Sequence, residues 1–333
     1  MKILVDAMGG DHAPLAIVQG CLEALKQEED IEIVLIGDRR MIEDILIDAK
    51  YDASRLTVRH ASQVITNNES PTKAIKSKPD SSMVVGFQML KQKEGDVFVS
   101  AGSSGALLVG SVTILRRIKG VDRPSLGSVI PNKRGRMLLL DSGLNMTCRP
   151  NYYLQFAYLG AAYMKAVFDQ DNPKIGLVNV GTEEEKGTED VKDANKLLRA
   201  SSLNYVGYVE GKDLFEGVAD VVVTDGFTGN VILKLTEGAS KFMIGGMKKM
   251  LLQNLRSKIG AVLLKDGLDE FKKTVDADIN GGAPVLGVDG LVIKSHGNSN
   301  ARTIRYVISK ANALAKSSFL EDIRTEFNAL AKK

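Results

Sequence analysis

Six short stretches gather most of the residues that could do chemistry. They are GGDH at 9–12, SAGSSGA at 100–106, DSGLN at 141–145, NVGTEEEKG at 179–187, TDGFTGN at 224–230 and SHGNSN at 295–300. Glycines let backbone approach a ligand closely, and small polar residues surround it with donors. Several such turns at one sheet edge would suit phosphate or the oxyanion of a tetrahedral intermediate. Lys186 is the only cation in the 179–187 stretch; it could place a point charge on phosphate or pair with Glu183, Glu184 or Glu185. His296 could protonate a leaving group or simply make a neutral hydrogen bond. Asp6 and Asp141, at strand ends, could orient cations or cap turns, and Asp225 and Asn230 offer an acceptor and an amide.

Other chemistries lack their residues. GxxxxGK[ST], GxSxG and GxGxxG are all missing from the sequence, which disfavours P-loop phosphoryl transfer, a serine elbow and the usual dinucleotide loop. His12, His60 and His296 are scattered, so no zinc site is expected, nor any other metal or cofactor. Cys21 and Cys148 stand far apart and read as reduced structural thiols. A net charge of +3, no Trp and few aromatics argue against a nucleic-acid partner. The opening MKILVDAMGGDH has a carboxylate at its sixth residue and no long apolar core, so a cytoplasmic location is expected rather than export.

The elements that must position these turns follow from apolar periodicity. The run Val221, Val222, Val223 reads as a strand covered on both faces, and the pattern resumes at Val231 with helical spacing. The same strand, turn and helix alternation recurs along the 333 residues. It predicts an α/β fold with a doubly wound, largely parallel sheet in an α/β/α sandwich, whose ligands sit at the carboxyl ends of the strands. The chain reads as one unit over 1–333 with room for two lobes. Residues 97–115 carry no charge over a near-membrane length, but the central glycines and serines divide them into strand, loop and buried helix. Within 116–136, Arg116, Arg117, Lys119, Lys133, Arg134 and Arg136 greatly outnumber the acids. That stretch is either a solvated basic surface or a dock for an acidic partner. Segment 234–273 is a basic amphipathic helical region. Its apolar residues include Phe242, Met243, Met247, Met250 and Leu251, suited to a partner subunit or an anionic membrane surface.

The strings DAMGGDHAP, SAG with SGAL, RIKGVDRP, LVNVGTEEEKG, VADVVVTDGFTGNV and IKSHG closely resemble the bacterial phosphate acyltransferase (PlsX) family, from residue 1 to the C-terminal helix. The resemblance implies a fold like the isocitrate and isopropylmalate dehydrogenases. It also implies transfer of an acyl group from acyl carrier protein to inorganic phosphate, giving acyl phosphate and free carrier protein for phospholipid synthesis. A homodimer lying peripherally on the membrane and a membrane glycerol-3-phosphate acyltransferase as recipient are implied as well. Where the family usually carries Asn-Thr, this chain has Ser103 and Ser104; Leu144 replaces an Ala, and Asn298 a frequent Ser.

On that reading Lys186, Thr182, the turn Gly102, Ser103, Ser104 and the pair His296 and Gly297 meet phosphate. Asn230 faces the oxyanion, Asp225 orients its neighbours, the basic 116–136 residues meet the carrier and the 234–273 helix meets membrane. Two other readings compete. A metal- and NAD-dependent decarboxylating dehydrogenase would share the expected fold, and a non-catalytic membrane scaffold would use only the amphipathic helix.

Overall fold

The computed structural model describes residues 1–268, 271 and 282–330. Of the amphipathic segment expected at 234–273, residues 269, 270, 272 and 273 lie outside that range. In chain order the strands are β1 (Lys2–Asp6), β2 (Glu32–Gly37), β3 (Leu56–His60), β4 (Val97–Ser100), β5 (Ser125–Leu126), β6 (Ser128–Asn132), β7 (Gly135–Leu140), β8 (Ile175–Val178), β9 (Tyr205–Val209), β10 (Val221–Val223), β11 (Ala283–Leu286) and β12 (Leu291–Lys294). The helices are α1 (Leu15–Gln27), α2 (Arg39–Leu46), α3 (Pro71–Ser77), α4 (Ser82–Lys91), α5 (Ser104–Gly110), α6 (Pro150–Phe168), α7 (Glu189–Arg199), α8 (Gly226–Leu252), α9 (Leu255–Leu263), α10 (Ala301–Lys316) and α11 (Phe319–Leu330).

The architecture is α/β, as the alternation implies, but the strands form two sheets. One runs β3-β2-β1-β4-β12-β11-β5 and the other β6-β7-β10-β8-β9. Pairing is parallel from β3 through β12 and from β7 through β9; β11 and the β6–β7 hairpin supply the antiparallel edges. Periodicity identifies a strand without naming its neighbour, which is why the split was invisible in sequence. The sheets adjoin where β5 ends, Gly127 turns and β6 begins, and Ser142 ties the junction by donating its N–H to the Leu126 carbonyl at 2.9 Å.

Both faces of the strands are covered, which is why they read as continuous apolar runs. On the first sheet α1 and α10 lie together so closely that a Cβ on Gly20 would sit 2.5 Å from Ile304. On the second, Gly160 brings α6 onto Val221 in the same way. One buried apolar cluster runs from Ile3 and Val97 through Phe156 and Tyr163 to Val221 and Phe319, so the two sheets share a core. Residues 97–115 form β4, a capped turn, α5 and a π-helical turn, as their glycines and serines imply.

Candidate active site

Two groups of three turns make up the candidate site, and each group follows three adjacent parallel strands. The turns after β1, β4 and β12 are GGDH, SAGSSG and SHGNSN. They interlock: Asp11 donates its N–H to the Gly297 carbonyl at 2.7 Å, and His12 Nε2 meets Asn298 Oδ1 at 2.7 Å. Gly9 is required by closeness, since a Cβ there would stand 2.6 Å from both Asp6 Oδ2 and the Gly102 nitrogen. Asp6 is buried at the end of β1 and accepts from Ser100 Oγ at 2.7 Å. Burial raises its carboxyl above the ordinary range, and the Ser100 hydrogen bond opposes that rise. Ser100 Oγ also accepts the Gly102 N–H at 3.0 Å, so that donor is engaged inside the protein. Ser103 caps α5, while Ser104 is exposed.

The turns after β7, β8 and β10 are DSGLN, NVGTEEEKG and TDGFTGN. The first and last fit by missing side chains: a Cβ on Gly229 would lie 1.9 Å from the Asp141 carbonyl oxygen, and one on Gly226 would strike Asn145 backbone. Asp141 is buried, and its carboxylate accepts from the backbone of Leu126, Gly143, Leu144 and Asn145 and from the Asn145 side chain. It braces a turn and leaves no lone pair obviously free. Asp225 is the N-cap of α8, accepting from Thr228 N at 2.8 Å and Thr228 Oγ1 at 2.9 Å. That fixes the first helical turn, from which Asn230 emerges beside Gly143. The Asn230 amide is exposed and makes no hydrogen bond among the described residues.

Lys186 is exposed at the carboxyl end of β8, in a loop pinned by the Asn179 amide donating to the Lys186 carbonyl at 3.0 Å. Its ammonium makes no ion pair among the described residues; Glu184 pairs instead with Arg199 at 3.4 Å. Thr182 is exposed in the same loop. Lys186 and Thr182 thus occupy the same sheet edge as Asn230, on the neighbouring strand's turn.

The two edges meet through His296. The Asn298 N–H donates to its Nδ1 at 3.2 Å, so Nε2 carries the proton of the neutral ring. Facing that Nε2 at 3.4 Å is the ammonium of Lys234, from α8 of the second sheet. Burial, then Lys234, lowers the His296 pKa, which keeps the ring neutral near pH 7. Beneath the same loop lies Lys294, the last residue of β12, only 8% exposed and in register with Ser100. Sequence reasoning missed both lysines. The signals were present: Lys234 stands one helical turn after Asn230, and Lys294 is a charge ending an apolar strand.

The basic residues of 116–136 divide. Arg116, Arg117 and Lys119 follow the π-helical turn, and Arg117 with Arg123, Arg149, Asn151 and Tyr152 lines a cavity of about 570 Å³. Lys133 and Arg134 lie at the β6–β7 hairpin, where Lys133 pairs with Glu216 at 2.7 Å. Arg136 lies over the Phe168 ring at 4.4 Å. The structure therefore does not gather all six into one patch. Phe242, Met243 and Met250 are exposed, Met247 and Leu251 half-buried, and α9 buries no residue. Both thiols are buried and held in the protonated form, Cys148 at about 12, chiefly by burial.

The fold is shared with phosphotransacylases of known structure. A phosphotransacetylase from Streptococcus pyogenes superposes with a TM-score of 0.63 at 15% identity, covering 95% of this chain and 94% of that one. A branched-chain phosphotransacylase from Enterococcus faecalis gives 0.58 at 12% identity, covering 95% and 100%. A putative 4-hydroxythreonine-4-phosphate dehydrogenase from Salmonella typhimurium gives 0.52 at 12%, covering 94% and 99%, so dehydrogenases share the architecture. Sequence is more specific. The phosphate acyltransferase of Acetivibrio thermocellus is 54% identical over 327 residues, 98% of this chain and 96% of its own. That of Alkaliphilus oremlandii is 46% identical over 330 residues, 99% and 98%. The family described as fatty acid synthesis protein matches residues 1–322. The chain belongs to this family of phosphate acyltransferases, and it is an acyltransferase. The dehydrogenase and scaffold readings are set aside by that membership.

Proposed function

We propose that the acyl donor is acyl carrier protein and that inorganic phosphate attacks its thioester carbonyl directly. The observation that carries this reading is the meeting of two carboxyl edges at His296 and Lys234, with both thiols of the chain buried. A phosphate oxygen bonds to the carbonyl carbon, the carbonyl becomes an oxyanion, and collapse breaks the carbon–sulfur bond. The proton on hydrogen phosphate ends on the departing sulfur. His296, neutral with its proton on Nε2, is the group to carry it, and the free Asn230 amide is the donor for the oxyanion. Lys186 and Thr182 border the second edge, and Gly102, Ser103, Ser104 and Gly297 the first. Asp225 acts through the helix cap that aims Asn230.

The carrier protein, an acidic partner, would dock where Arg116, Arg117 and Lys119 approach the arginine-lined cavity. Pro124 connects that cavity to the site, since its carbonyl accepts from the Asn145 amide at 2.8 Å. Lys133, Arg134 and Arg136 extend the basic surface elsewhere. Among the described residues no helix is long and apolar enough to cross a membrane. The exposed apolar face of α8 and α9, with Lys241, Lys248, Lys249, Arg256 and Lys258 around it, suits a second copy of the chain and an anionic lipid surface. Such placement would hand acyl phosphate to a membrane glycerol-3-phosphate acyltransferase. The test is to mix palmitoyl-loaded carrier protein, phosphate and enzyme, following free thiol and hydroxylamine-reactive acyl phosphate. Phosphate-dependent formation of both is expected; failure with carrier protein but success with a small-molecule thioester would overturn the donor assignment.

A further inference from the structure

Lys294 presents a physical problem. Its side chain is buried, yet it makes no ion pair among the described residues; the Ser295 carbonyl accepts from its ammonium. A buried ammonium without a paired anion is costly and ordinarily gives up its proton or finds a partner. Two carboxylates lie within electrostatic reach, Asp6 and Asp11, and a further cation, Lys234, opposes them. Asp6 is already occupied by Ser100 and the Met8 N–H.

Above Lys294 the loop 295–300 is held rigid. Ser295 Oγ meets Ser299 Oγ at 2.8 Å, Ser299 Oγ donates to the His296 carbonyl at 2.6 Å, and Asn298 fixes the ring tautomer. The result is that the Nε2–H of His296 and the ammonium of Lys234 point at one another across 3.4 Å as two donors, with no acceptor between them. Glu237 sits on the far side of Lys234 at 3.1 Å and steadies it there. The His296 ring and the Lys234 ammonium thus face one another, with the buried ammonium of Lys294, two residues before His296, within electrostatic reach of Lys234. Such a set of donors suits an anion with several oxygens.

We propose that the acceptor phosphate is bound between Lys294 below and Lys234 and His296 above, so that the anion itself joins the two sheet edges. This deepens the acyl-transfer reading and rests on it for the role of the anion, although binding can be measured without any acyl donor. Lys186, on the β8 turn, is then left to the acyl or thiolate side of the reaction. Burial lowers the Lys294 pKa to about 8, with Lys234 adding to the effect; a phosphate dianion in contact would reverse that and draw a proton in.

The experiment uses the full chain and inorganic phosphate, by titration calorimetry and by initial rates with an acyl thioester. Lys294→Met and Lys234→Met should each weaken phosphate binding by about tenfold or more, as loss of a charge-assisted hydrogen bond does, with the KM for the acyl donor changed less than about twofold. Lys294→Arg keeps the charge and should recover part of the affinity. Because Lys234 is exposed, its variant reports even where Lys294→Met does not fold. Wild-type phosphate affinity in Lys234→Met, or in a folded Lys294→Met, would overturn the proposal. Lysine-dependent phosphate binding without acyl phosphate formation would instead leave the site standing and sink the donor reading.

Discussion

In the proposed site, Asn230 and Lys294 are opposite kinds of residue. Asn230 is exposed and uncommitted, a neutral donor held still by the cap beneath it; Lys294 is buried and charged. Their substitutions should separate in kinetics. Asn230→Ala should lower kcat by about 10²-fold with the phosphate KM little changed, as removal of an oxyanion donor does. The pH dependence belongs to Lys294. Its charge is lost as pH rises through about 8, set by burial against Asp6 and Asp11 and with Lys234. The phosphate KM of the wild type should therefore climb above that pH, while Lys294→Arg should stay flat. The sign for stability is opposite. The folded chain binds fewer protons than the unfolded one between about 8 and the ordinary lysine value, so this residue's contribution to stability rises with pH across that window.

Among the elements, α8 carries two tasks on one rod. Its first turn is capped by Asp225 and holds its only buried residues, Gly226 and Gly229; Asn230 and, one turn on, Lys234 follow, and the rest of the helix projects an apolar face outward. Asp225→Ala should cost about 1 kcal/mol of stability by denaturant melting and reduce kcat through misplacement of Asn230. Asp225→Asn, which retains an acceptor for the Thr228 N–H, should restore most of both. Farther out, Phe242 is 83% and Leu263 81% exposed, too much apolar surface for a face with no partner. The double variant Phe242→Glu with Leu263→Glu should keep its circular dichroism spectrum and lose co-sedimentation with anionic vesicles. Unchanged pelleting would overturn the proposal that this face meets a membrane.

On the scale of the whole molecule, the proposed site draws on turns from two sheets that share a core and on the contact of Lys234 with His296. An anion bridging them should stabilise the folded chain as a unit. Phosphate at about 100 times its dissociation constant should add about 2.7 kcal/mol to unfolding stability, and Lys234→Met should show a much smaller gain at the same concentration. Differential scanning calorimetry with and without phosphate reads this directly.

Much of this was legible in the chain. Apolar runs such as Val221, Val222 and Val223 and the polar turns after them determine an α/β fold, because strand and helix periods are local properties of the backbone. The six turns were also visible, since glycine and small polar residues mark where a strand must stop. Periodicity could not say that the turns divide three and three, because which strands pair is decided by long-range packing around Gly127 and the shared core. Nor could it set the roles of charged residues. Asp141 could orient a cation or cap a turn in sequence and proves to be a brace, and Asp225 orients its neighbours as a helix cap, while Lys294 and Lys234 look like a strand end and a solvated helix face. A side chain's type is written in sequence, but its burial and its partners exist only once distant turns are brought together. For Lys294, in reach of elements far apart in the chain, that difference turns an ordinary surface residue type into a buried cation.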